Sequence, residues 1–569
     1  MKENMIKEIK RLLSEQHVSS HVCNTDIESP GPPSVSYGQN TVLVQASRAV
    51  DMSYTTEKGR YVTTSIDIQA GDTLIVERPY AAVLLPEHYL THCHHCFGKL
   101  NIVYPCCQCV QVRYCSPSCA EGSWSQYHRT ECHYLQLLHS VGIAHLSLRI
   151  VLVAGLKFLT SIMSELESRS VDPSIAGLDA NGRYCRSYIA VHDLLTHLED
   201  MSPVDVVHYT LTAQLLLKVL QHSGWFDRCG DITGSESTSK GNSPSSMTGQ
   251  HKSVGDYIGG LLLRHILQLV CNAHAITELQ YQDSGHAGLV EGKNQVRVAT
   301  AIYPTASLMN HSCVPTIISS FQKDVLVVRA VKDVPMGGEI FNCYGPHAKR
   351  MGYTERQRCL KEQYFFTCGC EACLKGVEAE MVLHAYRCSG CDGPTCEDID
   401  REPGTMVCRQ CGATCSLDRT QMLEAERLFN RGYQCLQENR VDDALQNLQK
   451  CLELQKSLLY RNNRKLSETQ DCLARCHATK GQFHQASKYI EESIGTVVIN
   501  YGQESIEAAN EFQKLSEILI NAQEWNRALV ANQKAVHIFE MNYGQSHDSV
   551  KILMGAQNEL SELIKALKI

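Results

Sequence analysis

The chain has 569 residues, a formal net charge of -8 and a hydrophobic fraction of 43%. This composition is typical of globular proteins, and the length predicts about two to four folding units instead of one core. The acidic balance excludes a surface that is basic throughout, as a protein binding nucleic acid over its whole face would need.

The N-terminal segment, residues 1–45, begins with MKENMIKEIKRLL and ends in a loop rich in proline and serine. Its spacing of apolar and charged residues predicts a short amphipathic helix. The segment lacks the apolar centre of a signal peptide, and the chain contains no run of about 18 apolar residues. We therefore expect no transmembrane span and an intracellular protein.

The next regions predict short strands, then helices, then strands again. Residues 46–92 alternate in polarity and are rich in β-branched residues, which is typical of short strands. Residues 133–227 have helical periodicity, and a further helix is expected from about residue 254 to residue 278. Between them, residues 230–253 are rich in serine, glycine and threonine and predict a disordered insertion. Strand-like sequence returns at residues 295–344.

The C-terminal region, residues 419–569, predicts helices with an internal repeat. Alanines recur in it every 42 positions, at Ala444, Ala486 and Ala528. The pairs Tyr501-Gly502 and Tyr543-Gly544 have the same spacing. A small residue at a fixed period is typical of stacked helical hairpins, because it lets two helices approach closely. The period exceeds the roughly 34 residues of tetratricopeptide (TPR) repeats. The pattern predicts extended TPR-like hairpins, with three unrelated amphipathic helices as the alternative.

Cysteine is the most informative residue type, with 28 copies. In a reducing cell, clustered cysteines at ligand spacing indicate zinc sites instead of disulfides. The block at residues 93–132 offers ligands for two tetrahedral sites: Cys93, Cys96, Cys106, Cys109, Cys115, Cys119, His128 and Cys132. Two-residue spacers let both thiolates of a pair face one metal, and His128 and Cys132 share one face of a helix. Cys107, beside Cys106, leaves an alternative register open.

Two more cysteine clusters follow in the chain. Cys388, Cys391, Cys408 and Cys411 have the spacing of a zinc ribbon, whereas Cys396 and Cys415 are less regular and are not assigned. Cys368, Cys370 and Cys373 provide only three thiolates. A fourth ligand must come from elsewhere in the chain, and spacing alone does not identify it.

Three segments in order, SLMNHSCVPT, GGEIFNCYGP and YFFTCGCEAC, resemble the SET domain and its post-SET zinc site. The block at 93–132, with Tyr114-Cys115-Ser116 and a Trp124 before the histidine, resembles the MYND zinc finger. A MYND finger inserted after the first SET strands resembles the layout of the SET and MYND domain-containing (SMYD) methyltransferases. The zinc ribbon, NCYGP and the helical tail are most similar to the member-4 branch of that family. The resemblance covers roughly residues 46–569, apart from 230–253.

The resemblance implies an α+β fold. It consists of a split SET β-fold with an inserted MYND zinc finger and helical insert, a post-SET zinc site, a zinc ribbon and C-terminal all-α TPR-like repeats. The implied domains are, in order, an N-terminal helix and loop (1–45), the first part of the SET domain (46–92), the MYND finger (93–132), the helical insert (133–290), the SET core (291–350), the post-SET region (351–385), the ribbon (386–418) and the helical repeats (419–569).

The resemblance also implies how the zinc ligands pair. Cys93, Cys96, Cys115 and Cys119 would hold one ion, and Cys106, Cys109, His128 and Cys132 would hold another. Cys313, in the NHSC segment, would complete the site of Cys368, Cys370 and Cys373. With the ribbon, about four zinc ions are expected.

The implied cofactor is S-adenosylmethionine, and the implied catalytic residues are Tyr344 and Tyr364. The Tyr344 hydroxyl would orient the lysine amine and face the methyl group, and Tyr364 would form a wall of the lysine channel. The implied cofactor-binding residues are Gly59, Arg60, Asn272, Asn310, His311 and Phe366, with Phe366 stacked on the adenine. Where the family usually has a glycine after the Gly59-Arg60 pair, this chain has Tyr61. Tyrosine there would weaken cofactor binding if the position needs positive φ or touches the cofactor.

The function these features imply is transfer of a methyl group from S-adenosylmethionine to lysine of histone or non-histone proteins, in the nucleus and cytoplasm. The alternative is a catalytically weak, zinc-dependent scaffold that recruits proline-rich or chromatin-associated partners through its MYND and TPR-like modules. A DNA-binding role is disfavoured, because the segment KLNIVYPCCQCVQVRYC has only Lys99 and Arg113 as basic residues. Neither a nucleic acid nor a membrane is an expected partner.

Overall fold

The computed structural model of the chain describes residues 31–168, 172–229, 247–281, 293–376, 382–397, 405–415 and 418–567. The predicted N-terminal helix and residues 230–246 of the predicted insertion lie outside these residues. The last residues of the predicted insertion, 247–253, belong to a helix that begins at Met247.

The strands of the described residues are two to ten residues long, and we number them β1 to β14 in chain order. They are Val50–Thr55, Gly59–Thr64, Thr73–Glu77, Ala81–Leu84, Tyr104–Pro105, Arg113–Tyr114, Ala273–Tyr281, Lys293–Ile302, Ile317–Gln322, Val325–Ala330, Tyr386–Arg387, Pro394–Glu397, Met406–Cys408 and Thr414–Cys415.

The α-helices of the described residues are numbered α1 to α18. They are Pro117–Ser123, Arg129–Glu131, Leu135–Ser140, Ala144–Ala154, Leu156–Ser161, Met163–Ser168, Tyr188–His192, Pro203–His222, Met247–Asn272, Tyr353–Tyr364, Glu371–Leu374, Arg419–Gln437, Val441–Leu458, Arg464–Thr479, Phe483–Tyr501, Ile506–Asn521, Trp525–Tyr543 and Asp548–Leu567.

The central β-structure is assembled from distant parts of the sequence. Strand β3 pairs with β10, which in turn pairs with β9, and β4 pairs with β8. Every residue of β4 and β10 is buried. The cysteine block and the helical insert therefore lie between strands that are neighbours in space, so the β-core is split in the way the sequence predicts.

The helical insert packs as a unit of its own on one side of this core. Its centre is the long helix α9, which contacts α4 and α8. Residues Val254–Asn272 of α9 are long and apolar enough to cross a membrane by length and composition, yet 56% of that stretch is buried inside the fold. A largely buried apolar helix of this kind is also what the core of a helical unit requires.

The helix that the sequence predicted through residue 278 in fact ends at Asn272. The chain continues directly into β7, Ala273–Tyr281, which pairs with β8 along its whole length. The sequence AHAITELQY has no helix-breaking residue. The switch to strand comes from pairing with β8, which no local pattern reveals. The prediction of a helix to residue 278 was wrong for this reason.

The C-terminal region is helical, as predicted, and each helix from α12 to α18 packs on its neighbour. Ala444, Ala486 and Ala528 lie at matching places in α13, α15 and α17 and are all 0% exposed. The spacing is tight at such crossings: a Cβ added at Gly432 would lie 2.7 Å from Leu448 Cγ. The repeated alanines therefore allow close packing of the helices.

The tail contacts the β-core at two repeated helix ends. Helices α15 and α17 both end in Tyr-Gly, with Gly502 and Gly544 at positive φ. Lys349 Nζ donates to the carbonyl of Tyr501. The buried Arg329 guanidinium of β10 lies against Gly544. A cation at the carboxyl end of a helix is favourable, because the helix dipole is negative there.

Candidate active site and zinc centres

The predicted zinc ligands come together in four groups. The ligand atoms in each group lie within 4.8 Å of one another, and the groups are Cys93, Cys96, Cys115 and Cys119; Cys106, Cys109, His128 and Cys132; Cys313, Cys368, Cys370 and Cys373; and Cys388, Cys391, Cys408 and Cys411. The first two interleave along the chain as expected. Cys106, and not its exposed neighbour Cys107, is the one that joins a group.

The distances within these groups suit zinc. The Sγ atoms of Cys96 and Cys115 are 3.6 Å apart, and those of Cys388 and Cys411 are 3.8 Å apart. Cys109 Sγ lies 3.5 Å from His128 Nε2. Since zinc–sulfur bonds are about 2.3 Å, tetrahedral ligands should be separated by roughly 3.8 Å. The four groups therefore fit a tetrahedral ion without rearrangement.

The backbone makes the same turn at four of the five cysteine pairs with a two-residue spacer. The residue after the second cysteine has positive φ in these four: Phe97, Val110, Asp392 and Gly412. Its N–H donates back to the carbonyl of the first cysteine, as from Val110 to Cys106 at 3.0 Å. Only one of the four is glycine, the residue that adopts this conformation without strain. The turn gives both sulfurs a common direction. At the fifth pair, Cys370 and Cys373, the second cysteine lies in α11 instead.

Hydrogen bonds from the backbone prepare one ribbon thiol for metal binding. The N–H groups of Gly390 and Cys391 lower the pKa of the Cys388 thiol to about 6. A thiol with such a pKa is largely thiolate at neutral pH, and the thiolate is the form that binds metal.

A buried ion pair fixes the first cysteine block to the β-core. Arg149 donates to both carboxylate oxygens of Glu131, at 2.6 and 2.7 Å, and to the carbonyl of Ala82 in β4 at 2.9 Å. Its guanidinium also lies 3.6 Å from the Tyr127 ring centroid. Burial alone would raise the pKa of Glu131, but Arg149 and His145 hold it well below its usual value. The carboxylate therefore stays charged and paired.

The NHSC and NCYGP segments run side by side. Ser312 N–H donates to the carbonyl of Asn342, and Asn342 N–H donates to the carbonyl of Asn310, both at 2.8 Å. This short parallel pairing brings Asn310 and His311 next to Tyr344. The two segments are about thirty residues apart in the sequence, yet they form one site. That separation is roughly the length of a supersecondary unit.

Tyr344 is held at both its backbone and its hydroxyl. Its N–H donates to His311 Nδ1 at 3.0 Å, and its hydroxyl donates to the carbonyl of Met309 at 2.8 Å. Burial raises the pKa of Tyr344, and the neighbouring Tyr364 raises it further. The phenol is therefore neutral at physiological pH, and its oxygen keeps lone pairs that can accept a hydrogen bond.

Tyr364 and Phe366 complete the aromatic group. Tyr364, the last residue of α10, donates its hydroxyl to the carbonyl of Tyr344 at 2.9 Å, and the two rings are 4.9 Å apart. Burial raises the pKa of Tyr364 to about 12. Phe365 caps the helix with φ of 63°. This turn returns the chain so that Phe366 lies 6.0 Å from His311, ring centre to ring centre.

The side chains of Asn310 and Asn272 both donate hydrogen bonds to neighbouring parts of the fold. Asn310 Nδ2 donates to Glu339 Oε1 at 3.0 Å and to the carbonyl of Lys58 at 3.4 Å. Asn310 therefore ties the β1–β2 turn, which contains Gly59, to the site. Asn272 Nδ2 donates to the carbonyl of Gln268 at 2.9 Å, within its own helix.

Arg60 does not direct its side chain toward this group. Its guanidinium donates to the carbonyls of Ala176 and Asp193, at 2.6 and 2.8 Å, and so anchors the helical insert. Tyr61 lies in β2 opposite Ser53, while the positive φ of the turn falls on Gly59. Tyrosine at position 61 therefore needs no strained backbone, which removes one of the two reasons to expect weak cofactor binding.

Two features of the site were not predicted from sequence. The hydroxyl of Tyr344 is fixed by the backbone carbonyl of Met309, and a carbonyl has no signature in residue type. Cys271, the residue before Asn272, donates its thiol to the carbonyl of Gln363 at 3.4 Å, beside Tyr364. The sequence around Cys271 does not predict this contact, because the contact depends on the packing of α9 against α10.

The family can now be assigned. The SET domain family model matches residues 59–345, about half of the chain. The chain belongs to the SET domain family. It is 29% identical to "Protein-lysine N-methyltransferase SMYD4" of Homo sapiens, over 92% of this chain and 71% of that protein. It is 24% identical to "N-lysine methyltransferase SMYD2" of Homo sapiens, over 56% of this chain and 58% of that protein. The similarity to the SMYD proteins and their member-4 branch is thereby confirmed.

One further relative is also named as a lysine methyltransferase, and a solved structure gives only a weak match. "Histone-lysine N-methyltransferase ASHR1" of Arabidopsis thaliana is 26% identical over 64% of this chain and 64% of that protein. Among solved structures, the crystal structure of BtubC (BKLC) from P. vanneervenii covers 26% of this chain and 63% of its own, at 16% identity and a TM-score of 0.22. A likeness that weak has no bearing on the fold.

Proposed function

We propose that this SET protein is an S-adenosylmethionine-dependent protein-lysine N-methyltransferase. Its relatives in the SMYD group carry names of lysine methyltransferases. The observation that carries the proposal is the group of Tyr344, Tyr364 and Phe366, which two separate segments bring together around His311 of a third segment. A scaffold would have no need for neutral phenols held at fixed positions.

The residues around Tyr344 suit an adenosyl cofactor. Phe366 is partly exposed and could stack on an adenine, while the backbone of His311 and the amide of Asn310 offer hydrogen bonds nearby. Asn272 and the turn at Gly59 would complete the binding surface. When bound, S-adenosylmethionine supplies a methyl group on a positively charged sulfur. We therefore assign cofactor binding to this group of residues.

The incoming lysine poses a protonation problem that the site can solve. A free lysine amine has a pKa near 10.4, so it arrives charged and cannot attack. The pKa values of Tyr344 and Tyr364 are both raised, so neither phenol places a negative charge beside the amine to hold its proton. Burial beside these two rings, away from water, further disfavours the charged form of the amine. The Tyr344 oxygen can then accept a hydrogen bond from the neutral amine and orient it.

The zinc groups serve structure in this proposal. The first two belong to a MYND finger, the third is the post-SET site and the fourth is a ribbon, and all four have closed sets of ligands as structural sites do. We further propose that the helical tail is TPR-like and borders the substrate cleft. Support comes from its contacts with the chain just after Tyr344, through Lys349 and through the Arg350–Glu507 ion pair at 2.7 Å.

Protein substrates bearing lysine are the proposed partners, together with proline-rich or chromatin-associated proteins at the MYND finger. The proposed location is the nucleus and cytoplasm, where such substrates occur. The scaffold alternative is not favoured, since the relatives are named as enzymes. No nucleic acid or membrane partner is proposed.

Labelling of lysates with tritiated S-adenosylmethionine tests the enzyme directly. The parent should label at least one protein on lysine, as mass spectrometry would show. Tyr344→Phe should slow single-turnover transfer by about 10-fold or more, because lost alignment raises the barrier. Phe366→Ala should first weaken calorimetric cofactor affinity. Tyr54→Phe, an exposed tyrosine of β1, is the control and should behave like the parent.

One result would contradict the role of Tyr344, and another would contradict the methyltransferase function. Normal turnover in Tyr344→Phe would remove the catalytic assignment of that hydroxyl. A parent that binds the cofactor but labels no protein in any lysate would favour the scaffold.

A further inference from the structure

The His311 ring lies between a zinc group and Tyr344. The ring is buried, with 7% of the residue exposed. Its Nε2 is 3.4 Å from the sulfur of Cys313, a member of the third cysteine group. Its Nδ1 accepts the N–H of Tyr344 at 3.0 Å. A single side chain therefore joins a metal ligand to the candidate catalytic tyrosine.

These two contacts require one tautomer of the ring. Because the Tyr344 N–H can only donate, Nδ1 must be the unprotonated nitrogen. The proton of the neutral ring then lies on Nε2, which donates it to the Cys313 sulfur. Both nitrogens are thus engaged inside the protein, and only the backbone of His311 remains available to a cofactor.

The connection extends from His311 to the reacting end of the site. The His311 and Tyr344 rings are 5.2 Å apart, and Tyr344 is further fixed through its hydroxyl to Met309 and through its carbonyl to Tyr364. A shift of the His311 ring would therefore move the Tyr344 backbone. The Tyr344 ring would then tilt, because the Met309 carbonyl holds its hydroxyl at the other end. Displacements of about 1 Å are enough to impair a reaction that depends on alignment.

We propose that His311 is a positioning residue that makes the placement of Tyr344 depend on the metal bound by Cys313, Cys368, Cys370 and Cys373. A zinc-bound sulfur is fixed in space and accepts the hydrogen bond of Nε2, as ligands commonly do with their outer neighbours. Without the metal, Cys313 is released from its group and the ring loses its anchor. The proposal rests on the proposed methyltransferase function for its catalytic consequence, but the link itself exists in the fold.

The test compares two substitutions at His311 in the full-length, zinc-loaded protein. His311→Phe keeps a ring of similar shape and removes both hydrogen bonds. His311→Gln keeps a donor and an acceptor and should recover part of the effect. The matched control is His347→Gln, because His347 Nδ1 also accepts a backbone N–H, from Lys349 at 3.1 Å, but makes no contact with a zinc group in the described residues.

Two measurements need no methyl transfer. Under challenge with a chelator, His311→Phe should release one of its zinc ions about 10-fold faster than the parent, as loss of an outer partner commonly does. Hydrogen exchange of the peptide containing Tyr344 should also become faster in His311→Phe. The same acceleration should appear in the parent once that zinc is removed.

The kinetic measurement separates positioning from cofactor binding. Single-turnover transfer by His311→Phe should fall by about 10-fold or more, while calorimetric cofactor affinity changes less than about 3-fold. His311→Gln should lie between the parent and His311→Phe in every measurement, and it carries the test if His311→Phe fails to fold.

Unchanged zinc release and unchanged exchange in His311→Phe would overturn the proposal. So would equal losses of rate and cofactor affinity, since the ring would then simply be part of the cofactor pocket. If zinc release and exchange change as expected but the parent methylates nothing, the methyltransferase function fails and the link from zinc to Tyr344 stands.

Discussion

The region that contains the described strands, residues 31–415 (here called the β-rich region, although it also contains the helical insert), and the helical tail, residues 418–567, are stabilised by different means. The β-rich region contains sheets of two to four strands, joined from distant parts of the sequence, and all four cysteine groups. The tail has two apolar clusters, each built from neighbouring helices, with alanines at the crossings. One region combines candidate metal sites with non-local strand pairing, and the other relies on packing between neighbouring helices.

The difference shows where each kind of stability is useful. Strands of two residues, such as β5 and β6, bury too little apolar surface to hold a fixed shape without metal. Metal ligands, however, fix side chains and turns to within a fraction of an ångström, which suits a region that must place Tyr344. Stacked helices tolerate small shifts and suit a wall or a support.

Removal of zinc should have the largest effect, and it should be confined to the β-rich region. Each structural zinc is worth about 10–16 kcal/mol of apparent binding free energy. A strong chelator should therefore abolish the cooperative unfolding of residues 31–415 while most helical circular dichroism remains. Metal analysis of the untreated protein should give four zinc ions, as the four groups require.

A cysteine of the tail provides the control for metal removal. Cys435→Ala removes a buried thiol that belongs to none of the four groups, so the variant should still bind four ions. If chelation unfolds the tail in the same transition as the β-rich region, the division between the two regions is wrong.

The same division explains what could be read from the sequence. Cysteine pairs with two-residue spacers are local, so their role as zinc ligands followed from Cys93, Cys96 and their counterparts directly. The membership of Cys313 did not, because it lies 55 residues before Cys368, and only the family resemblance supplied it. The prediction of a helix through residue 278 was wrong for a related reason. Residues Ala273–Tyr281 form the strand β7 because they pair with β8, which lies further along the chain.

The candidate site shows the same limit. The side chains of Tyr344, Tyr364 and Phe366 were identified by resemblance, and the structure brings them together. The contact of the Met309 carbonyl with Tyr344 could not be predicted from the sequence, because every residue has the same backbone carbonyl. The direction of Arg60, toward the insert, depends on where Ala176 and Asp193 lie in space. Contacts of that kind follow from tertiary packing and not from spacing.

The contact surface between the β-rich region and the tail, which we call the seam, includes Gly502 and Gly544. Substitution of Gly544 should lower the free energy of unfolding more than substitution of Gly502. A Cβ at Gly544 would lie 2.4 Å from Arg329 Nη2 and 2.8 Å from its Cζ, and Arg329 is only 4% exposed. A Cβ at Gly502 would lie 3.2 Å from the terminal Nζ of Lys349, an atom at the end of a long side chain. Both substitutions incur the cost of positive φ, about 1–2 kcal/mol. Gly544→Ala should add a clash of about 1–3 kcal/mol.

Denaturant unfolding at saturating zinc measures both substitutions. Gly544→Ala should lower the free energy of unfolding by clearly more than Gly502→Ala does. Equal losses would mean that Arg329 moves aside freely and that the seam is not tightly packed.

Acid should weaken the β-rich region through its buried neutral histidines. Burial lowers the pKa of His265 to about 3, where Tyr188 donates to its Nε2 and its Nδ1 donates to Gln268. The folded pKa is below the unfolded value near 6.5, so this stability is present above pH 6.5 and is lost as the pH falls toward 3. The loss should be about 1.4 kcal/mol per pH unit below 6.5.

His265→Gln isolates this contribution from acid release of zinc. Glutamine keeps a donor and an acceptor but does not titrate, so the variant should lose less stability than the parent between pH 6.5 and pH 5.5. The comparison requires zinc analysis at both pH values. A parent and variant with the same pH dependence would show that His265 does not govern it.

The smallest expected effect concerns strain at a cysteine turn. Val110 follows Cys109 with φ of 49°, and its side chain is 69% exposed, so it contributes strain and little packing. At the equivalent place of the ribbon, Gly412 has φ of 72° and no Cβ to strain. Val110→Gly should recover the roughly 1–2 kcal/mol cost of a left-handed residue. The greater freedom of glycine in the unfolded chain offsets about 0.5–1 kcal/mol of that gain.

The net result for Val110→Gly should therefore be a stabilisation of roughly 0.5–1 kcal/mol at saturating zinc, measured by denaturant unfolding of the β-rich region. Val110→Ala is the matched control, because it removes the same exposed methyl groups but keeps the Cβ and the strain. It should give no gain. If both variants lose stability equally, the Val110 side chain makes contacts that matter more than its backbone. The strain at this turn would then not be a cost that metal binding has to overcome.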